Sequence, residues 1–255
     1  MPISLKHQYT LRMKNPGSHS RIRVISLIIW ASEYIFFYPK LRRSLRILSE
    51  PDFQDVILDV GGNRGQSVKF FRKLFTNIPI YSYEPSPRIF EILNSLSVHN
   101  FHAFNFGISS KNGEEVFYES LLDEASTFEL PNLDSEWHKT KSRVLGVAPN
   151  EMYIKTKVQI KTLDTIVEEN QIMSIFLLKI DVEGHEFAVL SGAKDTLGKK
   201  MIKNIQIERH VDDLRESDEF KIGSFLNQFG FKRVASLRHS IGNFYEDVYT
   251  MSSSF

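Results

Sequence analysis

The stretch Val56-Ile57-Leu58-Asp59-Val60-Gly61-Gly62-Asn63-Arg64-Gly65-Gln66-Ser67 constrains this chain more than any other. Its first half is a short apolar run broken by one acid, the pattern of a strand buried in a parallel sheet. The glycines then turn the chain sharply, and Ser67 to Phe75 carries apolar residues at helical spacing. Strand, glycine turn and helix in that order open a doubly wound α/β fold, where a turn without Cβ atoms lets a nucleotide approach the backbone. The reading predicts a strand over 56–60 and a helix over 66–75, and further along the chain a third strand over 101–106 and a single helix over 186–197.

The spacing narrows the ligand. A dinucleotide fingerprint needs glycines at 61, 63 and 66, but Asn63 and Gln66 stand at the last two. No Gly-Lys-Ser/Thr closes a phosphate loop. What remains is Asp59-x-Gly61-x-x-x-Gly65, with an acid at the end of the first strand. An acid there repels a pyrophosphate and suits a cationic ammonium or sulfonium. Glu84 ends the next apolar run, roughly 20 residues beyond the turn, where an acid usually binds ribose hydroxyls. Two acids without a phosphate grip point to S-adenosylmethionine.

Four further segments stand in order at plausible spacing: Tyr83-Glu-Pro-Ser-Pro87, Lys161-Thr-Leu-Asp164, Lys179-Ile-Asp-Val-Glu-Gly-His-Glu186 and Leu190-x-Gly192-Ala193, with Ile207-Glu208 after them. Together with Leu58 to Gly65, this set resembles the FkbM-type methyltransferase family over about Asp55 to Glu208. The resemblance implies a mostly parallel seven-stranded sheet of the class I methyltransferase, Rossmann-like type, with a reversed C-terminal hairpin. It also implies S-adenosylmethionine and O-methylation, often of sugars or other secondary metabolites. Gly62 is a small departure, because the family more often has alanine there. The cofactor-binding candidates are Asp59, Gly61, Gly62, Asn63, Gly65 and Glu84, with Gly107, Ile108 and Ser109 at the end of the third strand, where this fold usually holds adenine. Asp59 reads either as a cap for the glycine turn or as a contact to the cofactor's amino group.

The fourth strand carries the catalytic candidates. Period-2 alternation puts Lys179, Asp181 and Glu183 on one side. A lysine inside a buried strand is costly unless paired, so Lys179 is expected to neutralise an acid. Asp181 and Glu183 lie at the carboxyl end, the edge where open α/β sheets bind ligands. His185 follows, and Glu208 and His210 close the neighbouring fifth strand. Each has a structural alternative: His185 can cap or pack, and Glu186 suits a helix's first turn. Thr162 reads as a helix N-cap. Asp181 and Glu208 match two ligand places of catechol-type O-methyltransferases, but Arg209 replaces the asparagine, so no metal is assigned and a divalent ion is the less favoured reading.

Alternating strands and helices from Asp55 onward give a methyltransferase domain over 51–255, preceded by a basic and apolar helical extension over 1–50. Residues 120–151 form a long insertion, a candidate acceptor lid whose Ser126, Thr127, Trp137 and His138 either line the acceptor pocket or sit on a surface loop. Within the extension, 24–38 reads as a helix covering the domain or a homodimer seam. Peripheral membrane attachment and a transmembrane span are the alternatives. The 32 basic and 31 acidic side chains leave a net charge of +1, which does not suggest a dedicated nucleic-acid binder. The chain has no cysteine, which excludes disulfides and thiol nucleophiles and suits a cytoplasmic location. The expected partner is a small-molecule or glycan acceptor. The rival functions are an NAD-dependent reductase or epimerase, and a non-catalytic scaffold on the same fold.

Overall fold

The computed structural model describes residues 31–46, 48–120, 125–130, 133–134, 139–140, 142–143, 147–210, 216–239 and 244–252. Residues 24–30, much of the 120–151 insertion with Trp137 and His138, and 211–215 lie outside the described residues.

The apolar run after Asp55 forms β1 (Asp55–Val60), buried along its whole length as a central strand must be. It pairs in parallel with β2 (Ile80–Tyr83) on one side and β7 (Ser174–Ile180) on the other. The sheet extends through β3 (Phe101–Phe104) beyond β2, and through β8 (Ile202–His210), β10 (Phe244–Met251) and β9 (Phe231–Arg238) beyond β7. Its order is β3-β2-β1-β7-β8-β10-β9. Only β10 runs antiparallel to its neighbours, so the reversed final hairpin stands where it was expected.

Successive apolar positions divide between two cores. Leu58, Val60, Leu178 and Ile180 feed one, and Ile57, Ile80 and Leu177 feed the other. The second core also takes Phe37, Leu41 and Leu45, the last two on the buried face of α1 (Tyr38–Leu45). The end of the extension thus covers the domain, while Ile35 and Phe36 stay exposed. No helix among the described residues is long and apolar enough to cross a membrane.

Two elements depart from the sequence reading. A third strand over 101–106 was expected, but β3 stops at Phe104. Asn105 Nδ2 there donates to the carbonyls of Glu84 and Pro85, at 2.9 and 3.2 Å, and bends the chain out of the sheet. Gly107–Ile108 becomes β4 of a separate three-stranded sheet, pairing in parallel with β6 (Tyr153–Lys161), which pairs antiparallel with β5 (Gly113–Ser120). The single helix expected over 186–197 is instead α5 (Glu186–Ser191) and α6 (Lys194–Gly198). Asp164, just inside α4 (Leu163–Glu169), explains the break. Its carboxylate accepts from the N–H groups of Asp195 and Thr196 and from the Thr196 hydroxyl, which starts a new helix. Thr162 caps α4 as the sequence implied.

Candidate active site

The carboxyl ends of β1, β2, β7 and β8 open onto one cleft, the edge at which such sheets bind ligands. Its first wall is the turn between β1 and α2 (Gln66–Leu74). Gly61 has φ 83°, and a Cβ there would lie 1.9 Å from the Asp181 carbonyl oxygen, so only glycine brings the ends of β1 and β7 this close. A side chain at Gly62 would strike the Ser82 hydroxyl, 2.0 Å away, which accounts for glycine where the family favours alanine.

Glu84 closes this wall from the turn between β2 and α3 (Pro87–Asn94). Its Oε2 accepts from the Asn63 N–H at 3.0 Å and its Oε1 from the Ser86 N–H at 2.8 Å. Burial pushes the Glu84 carboxyl up to about 7, with Glu119 adding to the rise while the two N–H bonds and Lys179 oppose it. Gly107 and Ile108 also line the cleft, and Gly107 lacks the Cβ that would collide with Phe128.

Other expected cofactor residues stand back from the opening. Asp59 is fully buried, and its Oδ2 accepts from Ser67 Oγ at 2.9 Å and Ser82 Oγ at 2.6 Å. Its Oδ1 lies 3.2 Å from the Lys179 ammonium. Lys179 in turn reaches Asp181 at 3.1 Å and donates to the Gly61 carbonyl at 3.1 Å. Burial alone would lower the Lys179 pKa, but Asp181, Asp59 and Glu246 together hold it above its ordinary value. Gly65 begins α2 against Leu96. Ser109 turns away to His185.

The second wall comes from β7, β8 and the final hairpin. Asp181, Glu183 and Glu208 line the cleft, and each offers a carboxylate oxygen within 4.8 Å of the other two. Glu183 has φ 56°, a left-handed conformation that costs a side-chain-bearing residue roughly 1–3 kcal/mol. Thr127 Oγ1 steadies that turn by donating to the Glu183 carbonyl at 2.8 Å. Ser126 lines the cleft as well.

His185 is not among the cleft-lining residues. It is buried, with Nε2 2.9 Å from Ser109 Oγ and Nδ1 2.8 Å from Glu129 Oε1, and its ring lies against Phe128. That arrangement ties β4, the insertion and the start of α5 together. His210 ends β8 in register with Phe244, and its side chain lies outside the described residues.

Sequence reasoning missed three polar residues of the second wall: Gln206, His239 and Glu246. Glu246 stands directly opposite Glu208 across β8 and β10, and His239 Nε2 is 3.9 Å from Glu208 Oε1. Acids inside an otherwise apolar closing strand were a usable signal for Glu246. His239 follows the last residue of β9 and gave none. The aromatic side of the cleft was missed too: Phe37 stacks on His239 at 3.8 Å between centroids, and Tyr38 meets Phe70 at 4.8 Å. Arg209, where a metal-binding relative of the catechol type would carry asparagine, instead donates to Asp247 at 3.1 Å.

A doubly wound sheet with a reversed last hairpin, a glycine turn and an acid-lined cleft at its carboxyl edge defines a class I methyltransferase. More narrowly, the chain belongs to the FkbM methyltransferase family, whose profile, "Methyltransferase FkbM domain", matches residues 59–233. Among curated proteins it is 29% identical over 161 residues to the 2-O-methyltransferase NoeI of Sinorhizobium fredii, covering 62% of this chain and 64% of that protein. It is 27% identical over 169 residues to the hexuronic acid methyltransferase AglP of Haloferax volcanii, covering 65% and 61%. The match therefore spans somewhat less than two thirds of these relatives' length. Among solved structures, Aeropyrum pernix fibrillarin with natively bound S-adenosyl-L-methionine aligns with 83% of this chain and 74% of its own, at 12% identity and a TM-score of 0.47.

The cleft fits S-adenosylmethionine by its own chemistry. Glu84 offers a buried carboxylate at the end of β2, the Gly61–Gly62 backbone lies beside it without a Cβ, and the wall around Asp181 is acidic, which suits a cationic sulfonium.

Proposed function

We propose that this chain methylates a hydroxyl of a sugar, glycan or related secondary metabolite, with S-adenosylmethionine as donor. One observation carries this reading: Glu84, the glycine turn and the three acids at the ends of β7 and β8 share a single cleft. The cofactor supplies an already activated methyl group, which leaves alignment and proton removal to the protein. Glu84 would take the ribose hydroxyls, with Gly61, Gly62 and Asn63 beside it and Gly107 and Ile108 toward the adenine. Asp59 acts one step back by holding Lys179, and Lys179 fixes Asp181 at the cleft rim. The acceptor proton passes to the Asp181–Glu183 pair, and the strained turn at Glu183 keeps that carboxylate at the rim. His185 positions rather than reacts, because Ser109 and Glu129 engage both its nitrogens.

The names of the relatives support an oxygen acceptor, and one of them a sugar acid. A cytoplasmic location belongs to the same proposal, and the cysteine-free sequence suits it. The exposed Ile35 and Phe36 offer a homodimer seam or a peripheral membrane contact, which sedimentation with and without anionic vesicles separates. The central test incubates the full chain with S-adenosylmethionine and a panel of uronic acids and glycosides. Release of S-adenosylhomocysteine together with a methylated product is the expected result. Cofactor binding without turnover on any acceptor would point to a non-catalytic role instead.

A further inference from the structure

Glu208 and Glu246 face each other in register across β8 and β10, and both reach the cleft. Like charges directly opposite on neighbouring strands repel unless a proton or a cation lies between them. The nearby ammonium of Lys179 is already engaged by Asp59 and Asp181. His239 comes in from the end of β9, its Nε2 3.9 Å from Glu208 Oε1. That is too far for a direct hydrogen bond and is a distance at which two donor atoms share a third centre. One oxygen of each glutamate and a ring nitrogen of His239 all fall within 4.8 Å of one another. Glu246 is only 5% exposed, and its Oε2 finds no hydrogen-bond partner among the described residues. A buried carboxylate oxygen left in that state, beside a second carboxylate and an imidazole, is what a bound cation would satisfy.

From this donor set we infer a divalent cation site formed by Glu208, His239 and Glu246. The imidazole favours manganese or zinc over magnesium or calcium, which prefer oxygen-only ligands. The supporting contacts are in place: Phe37 stacks on the His239 ring, and Gln206 hydrogen-bonds Glu246. Binding of the ion rests on these residues alone. Its use, to polarise an acceptor hydroxyl beside Asp181, rests on the methyl-transfer reading.

The test uses the full chain, stripped with EDTA and desalted, with neither cofactor nor acceptor present. It is titrated with Mn²⁺ while free ion is followed by electron paramagnetic resonance, and with Zn²⁺ by calorimetry. The expected result is saturable binding of a single ion, weakened about tenfold or more by Glu246→Gln and by His239→Gln and little changed by Glu183→Gln. Spin-echo modulation of the bound Mn²⁺ should show a coordinated nitrogen in the unaltered chain, which needs no variant to fold. Absence of a saturable site would overturn the inference and leave methyl transfer untouched. So would a nitrogen-free site lost in Glu183→Gln and kept in Glu246→Gln, which would give the ion to Asp181, Glu183 and Glu208 instead.

Discussion

On the β1–β2 wall of the cleft, each polar group is anchored by residues close to it in sequence or on the adjoining strand. Glu84 is gripped by the N–H groups of Asn63 and Ser86, and Asp59 by the hydroxyls of Ser67 and Ser82. On the β8–β10 wall, Glu208, His239 and Glu246 meet only because a hairpin folds back on the sheet. The first wall is a local motif fixed by backbone geometry. The second is an assembly that exists only once the sheet has closed. Lys179 joins them, with Asp59 on one side and Asp181 on the other.

Removing that link should produce the largest effect. Lys179→Met leaves two buried or half-buried carboxylates facing each other without a cation, a change that typically costs about 3–5 kcal/mol. Urea unfolding measures it, and Lys179→Met combined with Asp59→Asn should recover part of the loss. Equal stability of the wild type and Lys179→Met would mean that the walls are held together by packing alone.

The same contrast explains what was legible in the sequence. The glycine turn, Glu84 and the Asp181–Glu183 alternation could be read because each depends on spacing within one or two adjacent elements. The reversed hairpin was legible as topology, but its side chains were not, since pairing Glu246 with Glu208 requires the register of β10. His185 shows the opposite failure. Its position next to the acid-rich strand end suggested chemistry, yet the residues that engage it, Ser109 and Glu129, come from a second sheet and a loop that local pattern does not reveal. Gly107 and Ile108 were placed on the right edge but in the wrong sheet, because Asn105 bends the chain through bonds to Glu84 and Pro85.

Glu183→Gln comes next in size and probes the second wall alone. Turnover should fall by roughly 100-fold while affinity for S-adenosylhomocysteine is kept, the signature of an interaction made in the transition state. Stopped-assay kinetics paired with calorimetry reads both numbers. A rise in KM with kcat unchanged would reduce Glu183 to an acceptor contact.

Glu84→Ala probes the first wall. It should weaken S-adenosylhomocysteine by about 1–3 kcal/mol, the scale of a charge-assisted hydrogen bond. Unchanged affinity in a folded variant would remove Glu84 from the cofactor site and leave it as an anchor for the glycine turn.

The smallest effect is a pH dependence, and its sign follows from the raised pKa of Glu84. The carboxyl titrates near 7 in the folded chain, against an ordinary value of 4.5. Between those values the folded chain holds a proton that the unfolded chain has released. Glu84 therefore favours folding at low pH, and that contribution is lost as pH rises through this window, levelling off above about 7. Cofactor binding should run the other way. Ribose hydroxyls donate to a carboxylate, so below pH 7 binding must first expel the Glu84 proton. Affinity for S-adenosylhomocysteine should then rise by at most about tenfold per pH unit up to neutrality and flatten beyond it. Glu246, whose carboxyl burial raises to about 8, titrates on the other wall and also shifts stability with pH, so the comparison has to be made on binding. Calorimetry from pH 5.5 to 8.5, as an order-of-magnitude window around that pKa, should show the slope in the wild type and lose it in Glu84→Gln. A slope that persists in Glu84→Gln would assign the proton to another group of the cleft. A flat wild-type profile would mean that the ribose does not meet this carboxylate.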